Sequence, residues 1–442
     1  MAADLLHHRH RPKTKESPTV SFESMWAALE PVGRDPRTGG YRRFAWTAED
    51  DTLREWFAGE CAARGLDLTE DRMGNQWAWW GDPDRAAAEG RPGVVAGSHL
   101  DSVPDGGAFD GPLGVVSALA ALDVLRARAE HEGWQPTRPI GVVNFVDEEG
   151  ARFGVACAGS RVITGVLGPD RARSLTDADG TTMVEALTRA GRDPQMIGRD
   201  DEALRRIGSF VELHVEQGRA LADPDHPAHG HAVAVGSGIW PHGRWRLDFP
   251  GEANHAGTTR LEDRHDAMLG YATAVLSARR AAERQGCLAT IGKVAVQPGG
   301  VNAVPSAVTG WLDARGADEA AVRAAVADVA GEAERSGATL TEESWTPPTT
   351  FDADLATRLQ RVLASRTAAA GGTQPHGIPL LGTGAGHDAG ILANAGVPTA
   401  MLFVRNPTGV SHSPQEWAEA DDCRAGVTAL AGVLEDLAGE RA

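Results

Sequence analysis

Four short runs of consecutive apolar residues punctuate the chain, at Gly93–Gly97, Ile140–Val146, Phe210–Val215 and Thr399–Val404. They are rich in β-forming residues and lack polar alternation, the pattern of strands buried on both faces of a parallel sheet. Segments of helical character lie between them. Leu113–Glu130 is rich in Ala and Leu, and Thr47–Arg64 and Asp354–Ala370 each open on a residue suited to capping a helix. Strand and helix in alternation predict an α/β fold, a mostly parallel sheet with helices on both faces.

One block breaks this pattern. Between Gly243 and Trp345 the periodicity predicts strand Arg244–Phe249, helix Arg264–Arg284, strand Ala289–Gln297, strand Ala307–Arg315, helix Asp318–Arg335 and strand Ala338–Trp345. The order βαββαβ is that of a ferredoxin-like, split-βαβ layer. Helix–strand alternation resumes after Pro347-Pro348, so the block reads as an insertion. The expected division is a disordered tail over residues 1–20, a catalytic domain over 21–236 and 347–442, and an inserted domain over 237–346. A chain of 442 residues is too long for one ordinary core, which agrees with more than one domain.

Composition narrows the function. Apolar residues make up 42% and charged residues 24%, a globular balance. A net charge of −18 leaves no basic face for a nucleic acid. The four cysteines are scattered without a CxxC pair, which points to reduced thiols and a cytoplasmic protein. The first residues, MAADLLHHRHRPKTKE, lack the apolar core of a secretory signal. Their His7-His8-Arg9-His10 run is expected to belong to the polar tail. No apolar run approaches the ~18 residues of a membrane span, so no membrane partner is expected.

Candidate chemistry gathers where the apolar runs stop. The first leads into GSHLDSVPDGGAFDGPLGV, residues 97–115, which holds His99, Asp101 and Asp110 among five glycines. Taken singly it is open to three plain readings: a solvated turn, a helix cap or an acidic surface patch. The second run leads into Asp147-Glu148-Glu149-Gly150, the third contains His214 and ends in Glu216-Gln217-Gly218, and the fourth is followed by Ser411-His412-Ser413. A lone His or Asp at a strand end is usually a turn residue. Here four such ends converge on one sheet edge, where open α/β sheets bind ligands. Three imidazoles and two carboxylates, with no thiolate, suit zinc, manganese, cobalt or nickel. Two ions about 3.5–4 Å apart need a bridging carboxylate with His and Glu on either side. Asp101, two residues from His99, is placed to orient that imidazole. Glu148 and Glu149 can divide the roles of base and ligand, and the glycines let His99 and Asp110 reach one point.

Other chemistries are excluded by spacing. GTGAGHDAG, residues 382–390, lacks both GxGxxG and a Walker lysine. Ser98 and Ser237 sit in no G-x-S-x-G elbow. Trp79, Trp80, Trp240 and Trp245 read first as packing, with a pocket wall as the alternative.

The motifs SHLDSVPDGGAFDGPLGV, DEEGARFG, ELHVEQG, EANHAGTT, VNAVP, DAR, GAGHDAG and SHSPQEW occur in this order. Together they resemble the dinuclear metallo-amidohydrolases related to aminoacylases and metal-dependent exopeptidases. The resemblance spans about residues 25–430. It is narrower to the branch of N-carbamoyl-L-amino acid hydrolases, β-ureidopropionases and allantoate amidohydrolases, because His214 stands where the exopeptidases usually have a carboxylate. Gly371–Pro379 and Arg405–Gly409 depart from any one subgroup.

The resemblance implies two divalent ions, one held by His99, Asp110 and His214 and the other by Asp110, Glu149 and His412. It implies Glu148 as general base and His255 as the oxyanion donor of a lid. Asn302 and Arg315 would hold a substrate carboxylate, and Gln217 and His387 would contact the ureido or carboxylate end. The inserted domain would serve as lid and as the interface of a homodimer. The implied reaction is hydrolysis of a linear ureido C–N bond in a small carboxylate, releasing ammonia. Two alternatives stand beside it, an aminoacylase or dipeptidase on the same scaffold and a binding protein without catalysis.

Overall fold

The computed structural model describes residues 21–369 and 377–439. The tail expected over 1–20, with its His7-His8-Arg9-His10 run, and residues 371–376 of the Gly371–Pro379 departure lie outside the described residues.

The first half of the chain contributes β1 (Asp67–Glu70), β2 (Gln76–Trp80), β3 (Gly93–His99), β4 (Ile140–Phe145), β5 (Ile207–Val215) and β6 (Val233–Ile239). Successive residues of β3 serve two cores. Val94 and Ala96 join a cluster with Leu113, Leu119 and Leu122, while Val95 joins another with Phe145 and Phe210. Neither face of β3 meets water, so its apolar run is unbroken.

Helix Pro112–Glu132 follows β3. Pro112 presets φ at its first position, and Gly133 closes it in the left-handed conformation. A Cβ on Gly114 would stand 2.3 Å from the Leu213 carbonyl and 2.6 Å from Ser98 Cβ. The first turn of this helix therefore lies directly on β3 and β5, which fixes the residue that precedes it.

The middle of the chain forms a second layer pair. β7 (His242–Pro250), β8 (Asn254–His255), helix Ala267–Gln285, β9 (Leu288–Gln297), β10 (Ala303–Val304), β11 (Ala307–Arg315), helix Glu319–Arg335 and β12 (Thr339–Thr346) follow one another. Four of these strands make an antiparallel sheet in the order β12-β7-β11-β9. Trp245, Leu247 and Phe249 alternate along β7 toward a core with Ala274, Ala278, Val322 and Val329 from the two helices. β8 and β10 pair separately, with Ala303 opposite His255.

After β12 the chain returns to the large sheet as β13 (Thr349–Thr350), β14 (Leu380–Thr383) and β15 (Thr399–Val404). Among the described residues that sheet has nine strands. Its order is β1-β2-β4-β3-β5-β15-β6-β13, with β14 beside β6. The central strands β4, β3, β5 and β15 are mutually parallel, and the fold is mixed α/β. β1, β2 and β6 add antiparallel margins that the apolar pattern does not predict. β6 carries two glycines in VAVGSGI, which hides its strand character. Ser237–Ile239 close β6 in the large sheet, three residues past the boundary drawn from sequence. Trp79 and Trp245 are core residues, whereas Trp240 lines a cavity.

Candidate metal centre and adjoining cavity

Parallel pairing brings the carboxyl ends of the central strands to one edge. His99 ends β3 beside Phe145 of β4, and His214 lies near the end of β5 beside Phe403 of β15. Asp110 precedes helix Pro112–Glu132, separated from it by Gly111. Gly111 has φ of +85°, and a Cβ there would strike the His99 ring at 2.4 Å. Only glycine lets the chain turn into the helix while Asp110 stays beside His99. Asp147 and His412 also hold left-handed φ values, both +55°. Such backbone is uncommon outside glycine and concentrates at functional sites.

Asp110 stands at the centre of the cluster, and its two oxygens face different ways. Oδ1 lies 3.1 Å from His214 Nε2 and 3.7 Å from His99 Nε2. Oδ2 lies 3.3 Å from His412 Nε2, which is 3.7 Å from Glu149 Oε2. The donor atoms of His99, Asp110 and His214 fall within 4.8 Å of one another, as do those of Asp110, Glu149 and His412. A third grouping, Glu212 with His214 and His387, meets the same limit. Both Glu212 oxygens are already engaged, one by the Ser98 hydroxyl and one by the Ala389 amide.

The imidazoles are oriented for metal. His99 Nδ1 lies 3.1 Å from the Asp101 carbonyl, and His214 Nδ1 lies 2.9 Å from the Val215 carbonyl. A carbonyl only accepts, so each Nδ1 carries a proton, and in the neutral ring each Nε2 presents a lone pair. Both Nε2 atoms are buried and lack a hydrogen-bond partner. An unpartnered buried nitrogen aimed at a carboxylate is costly unless a cation completes it. On this evidence the residues fit a divalent metal.

Asp101 has a wider role than orienting His99. Its carboxylate accepts from the amides of both Glu148 and Glu149 at 3.1 Å, and Oδ1 is 3.4 Å from His99 Nδ1. It thereby fixes the turn that carries both glutamates. Glu148 Oε2 is 3.8 Å from His99 Nε2, and Cys157 Sγ is 3.3 Å from Glu148 Oε1.

Burial raises the Glu148 carboxyl well above its usual range, with His99 opposing the shift. Burial and then the neighbouring Asp110 push Glu149 up to about 7. Asp110 goes the other way: burial opposes its ionisation, but His214, His412 and His99 hold it well below the ordinary value. His412 is raised to about 9, chiefly by its contact with Asp110. Crowded carboxylates and imidazoles that compete for protons form a site for a cation.

A cavity of about 1070 Å³ opens beside the cluster, lined by Gln217, Arg219, Trp240, Arg315, Phe403 and His412 among others. Gln217 Nε2 donates to Asp110 Oδ2 at 2.8 Å, while its Oε1 is buried without a partner. Arg315 reaches the cavity already paired: Nε and Nη2 donate to the two oxygens of Asp313, and Nη1 donates to the Gly384 carbonyl.

The remaining residues singled out from sequence stand apart from the cavity wall. His387 is 2% exposed, with its ring 4.6 Å from that of His214 and both nitrogens unpartnered. Burial and the nearby His214 hold its pKa well below the usual value. His255 lies on β8 and Asn302 immediately precedes β10, and the Ala256 amide donates to the Asn302 carbonyl. Neither lines the cavity, and both are exposed.

Glu212 and Glu416 both escaped the sequence reading. Glu416 Oε2 accepts from the amides of Phe109 and Asp110, and Oε1 is 3.2 Å from Ser411 Oγ. Its position four residues after His412, inside SHSPQEW, was the available signal.

Residues 95–436 match the model of the peptidase family M20/M25/M40. The chain is 36% identical over 431 residues to an N-carbamoyl-L-amino acid amidohydrolase of Geobacillus stearothermophilus, covering 95% of this chain and 99% of that protein. It is 31% identical over 423 residues to the allantoate amidohydrolase of Escherichia coli, covering 93% and 96%. A crystal structure of an amidase of the hydantoinase/carbamoylase family from Burkholderia multivorans superposes with a TM-score of 0.78. It shares 29% identity and covers 96% of this chain and 99% of that one.

Proposed function

The chain belongs to the peptidase family M20/M25/M40, and from that premise we propose that it hydrolyses the ureido C–N bond of a small carboxylate at the Asp110 cluster, releasing ammonia. It is a hydrolase of carbon–nitrogen bonds other than peptide bonds, in line with relatives named for N-carbamoyl-L-amino acids and for allantoate. The observation that carries the proposal is Asp110, set between the unpartnered Nε2 atoms of His99 and His214 on one side and His412 on the other.

His99, Asp110 and His214 would hold one divalent ion, and Asp110, Glu149 and His412 a second, drawn from zinc, manganese, cobalt or nickel. Bound there, such ions supply carbonyl polarisation and a water acidic enough to attack near neutral pH. The need is real, because two nitrogens donate into a ureido carbonyl and make it a weak electrophile. Glu148 takes the proton of the attacking water and delivers it to the departing nitrogen. Its burial favours the protonated form, which suits the second half of that exchange. Asp101 keeps Glu148 and Glu149 in register. Gln217 orients the substrate from the cavity wall, and Arg315 presents the donors that Asp313 and Gly384 leave free to its carboxylate. His387 supports this end from behind His214. Closure of the inserted block brings His255 to the developing oxyanion and Asn302 to the carboxylate.

We further propose that the inserted block joins two copies of the chain. β9 is an edge strand of its sheet, and Leu269, Leu276, Leu288 and Val294 are exposed on or beside it. An apolar, unpaired edge is a ready surface for a second copy.

A panel assay tests the activity. Protein supplied with Mn²⁺ or Zn²⁺ is expected to release ammonia from an N-carbamoyl-L-amino acid, β-ureidopropionate or allantoate, and to leave N-acetyl-amino acids and dipeptides intact. Turnover confined to the acyl or peptide compounds would replace this reading with an aminoacylase or dipeptidase.

A further inference from the structure

Asp110 and His412 lie 302 positions apart in sequence, on loops that leave different strands. Each carries a side chain, and neither loop has regular structure to hold it. Glu416 joins them. Its side chain is 3% exposed. Oε2 accepts from the Phe109 amide at 2.8 Å and from the Asp110 amide at 3.0 Å. Oε1 lies 3.2 Å from Ser411 Oγ, and that hydroxyl is also 3.1 Å from Asp110 Oδ2. The Glu416 amide donates to the Ser413 carbonyl, so the 411–416 segment folds back on itself around His412.

The fit is tight on every side. A Cβ on Gly107 would stand 2.3 Å from Glu416 Oε2 and 2.5 Å from its Cβ, so glycine at 107 makes room for this side chain. Next to it, the Trp417 ring meets Phe109 edge-on at 5.9 Å, and Phe109 packs on Trp26 at 4.8 Å. The carboxylate is thus buried, fully engaged and pinned by aromatic packing. It does not itself line the cavity and stands outside the ligand set.

We propose that Glu416 is a positioning residue that latches the Asp110 loop to the Ser411–His412 loop, setting the separation of Asp110 and His412 and so the affinity for the ion they share. The inference rests on the reading of Asp110 and His412 as metal ligands. What the latch requires is reach, one acceptor oxygen for the two amides and a second polar group for the Ser411 hydroxyl. Negative charge is not the requirement, because backbone amides and a hydroxyl are its partners. Residues that orient ligands in this way commonly contribute about 10–100-fold to metal affinity.

Titration of metal-free protein with Co²⁺ tests it, read by calorimetry and by the visible spectrum of the bound ion. Full-length wild type is compared with E416A, E416Q and E416D, with Tm measured for each without metal. Glu416→Gln keeps the length, one carbonyl oxygen for the amides and an NH₂ for Ser411. It is expected to bind close to wild type with the same spectrum. Glu416→Asp keeps the charge but falls one methylene short. It is expected to lose about 10–100-fold in affinity for one ion, with an altered spectrum, as Glu416→Ala does. If Glu416→Ala fails to fold, the Gln and Asp pair decides alone. Unchanged Co²⁺ affinity in Glu416→Asp, or a loss in Glu416→Gln as large as in Glu416→Asp, would overturn the latch. Wild type that binds no Co²⁺ would overturn the metal-centre reading itself, a separate outcome.

Discussion

Asp110 gathers most of the cluster's contacts on one residue. Its neighbours on each side are imidazoles, its amide is held by Glu416, and its second oxygen also receives Gln217. Glu148 sits close by without sharing Asp110, near His99 and Cys157, a placement that suits the proposed division of base from ligands. Glu148→Gln is therefore expected to keep its metal content and to lose about 10²–10⁴-fold in kcat for ammonia release. Wild-type turnover in that variant would remove Glu148 from the role of base. At this scale the sequence was informative where chemistry sits at a strand end. His99 and the Glu148-Glu149 pair follow apolar runs, His214 lies near the end of one, and parallel strands send their ends to one edge. The Arg315–Asp313 pair is different. Two residues apart on β11, they share a face, but the strand pattern alone does not say that they turn toward each other rather than toward a ligand. The burial of His387 behind His214 depends on a neighbour 173 positions away and leaves no local trace.

At the scale of elements, the strands legible in sequence are those buried on both faces, β3, β4, β5 and β15. The small sheet was legible for a different reason, the alternation of Trp245, Leu247 and Phe249 with polar residues. β1, β2 and β6 were not, because short tryptophan-rich or glycine-interrupted segments carry no clean period. Helix Ala48–Ala63 shows a cost inside an element. Asp50 lies in its first turn, accepts from the Trp46 amide, and is pushed up to about 6 by burial, with Arg54 opposing. Its folded pKa lies above the unfolded value of 3.8, so the folded state holds the proton longer. The contribution of Asp50 to stability therefore falls as pH rises from about 3.8 to about 6 and is level above that. Asp50→Asn stays neutral, so its stability relative to wild type is expected to improve between pH 4 and pH 7. Urea midpoints of both proteins at the two pH values measure it, and a constant difference would show that Asp50 does not titrate in this window.

For the whole molecule, the residues of the proposed site come from two sheets. The large sheet carries the Asp110 cluster, and the block from β7 to β12 carries His255, Asn302 and Arg315. Among the described residues no helix is long and apolar enough to cross a membrane. If β9 and helix Ala267–Gln285 form the contact between copies, sedimentation should give a dimer for wild type and a monomer for the double variant L276D/V294D. A wild-type monomer at micromolar concentration would end that proposal. The most direct test of the account as a whole is ammonia release from an N-carbamoyl-L-amino acid, β-ureidopropionate and allantoate, measured on protein stripped by prolonged chelation and again after Mn²⁺ is restored. The account predicts no release from the stripped protein and recovery on at least one of the three compounds once metal returns. Undiminished release without metal, or none from any of them with it, would contradict it.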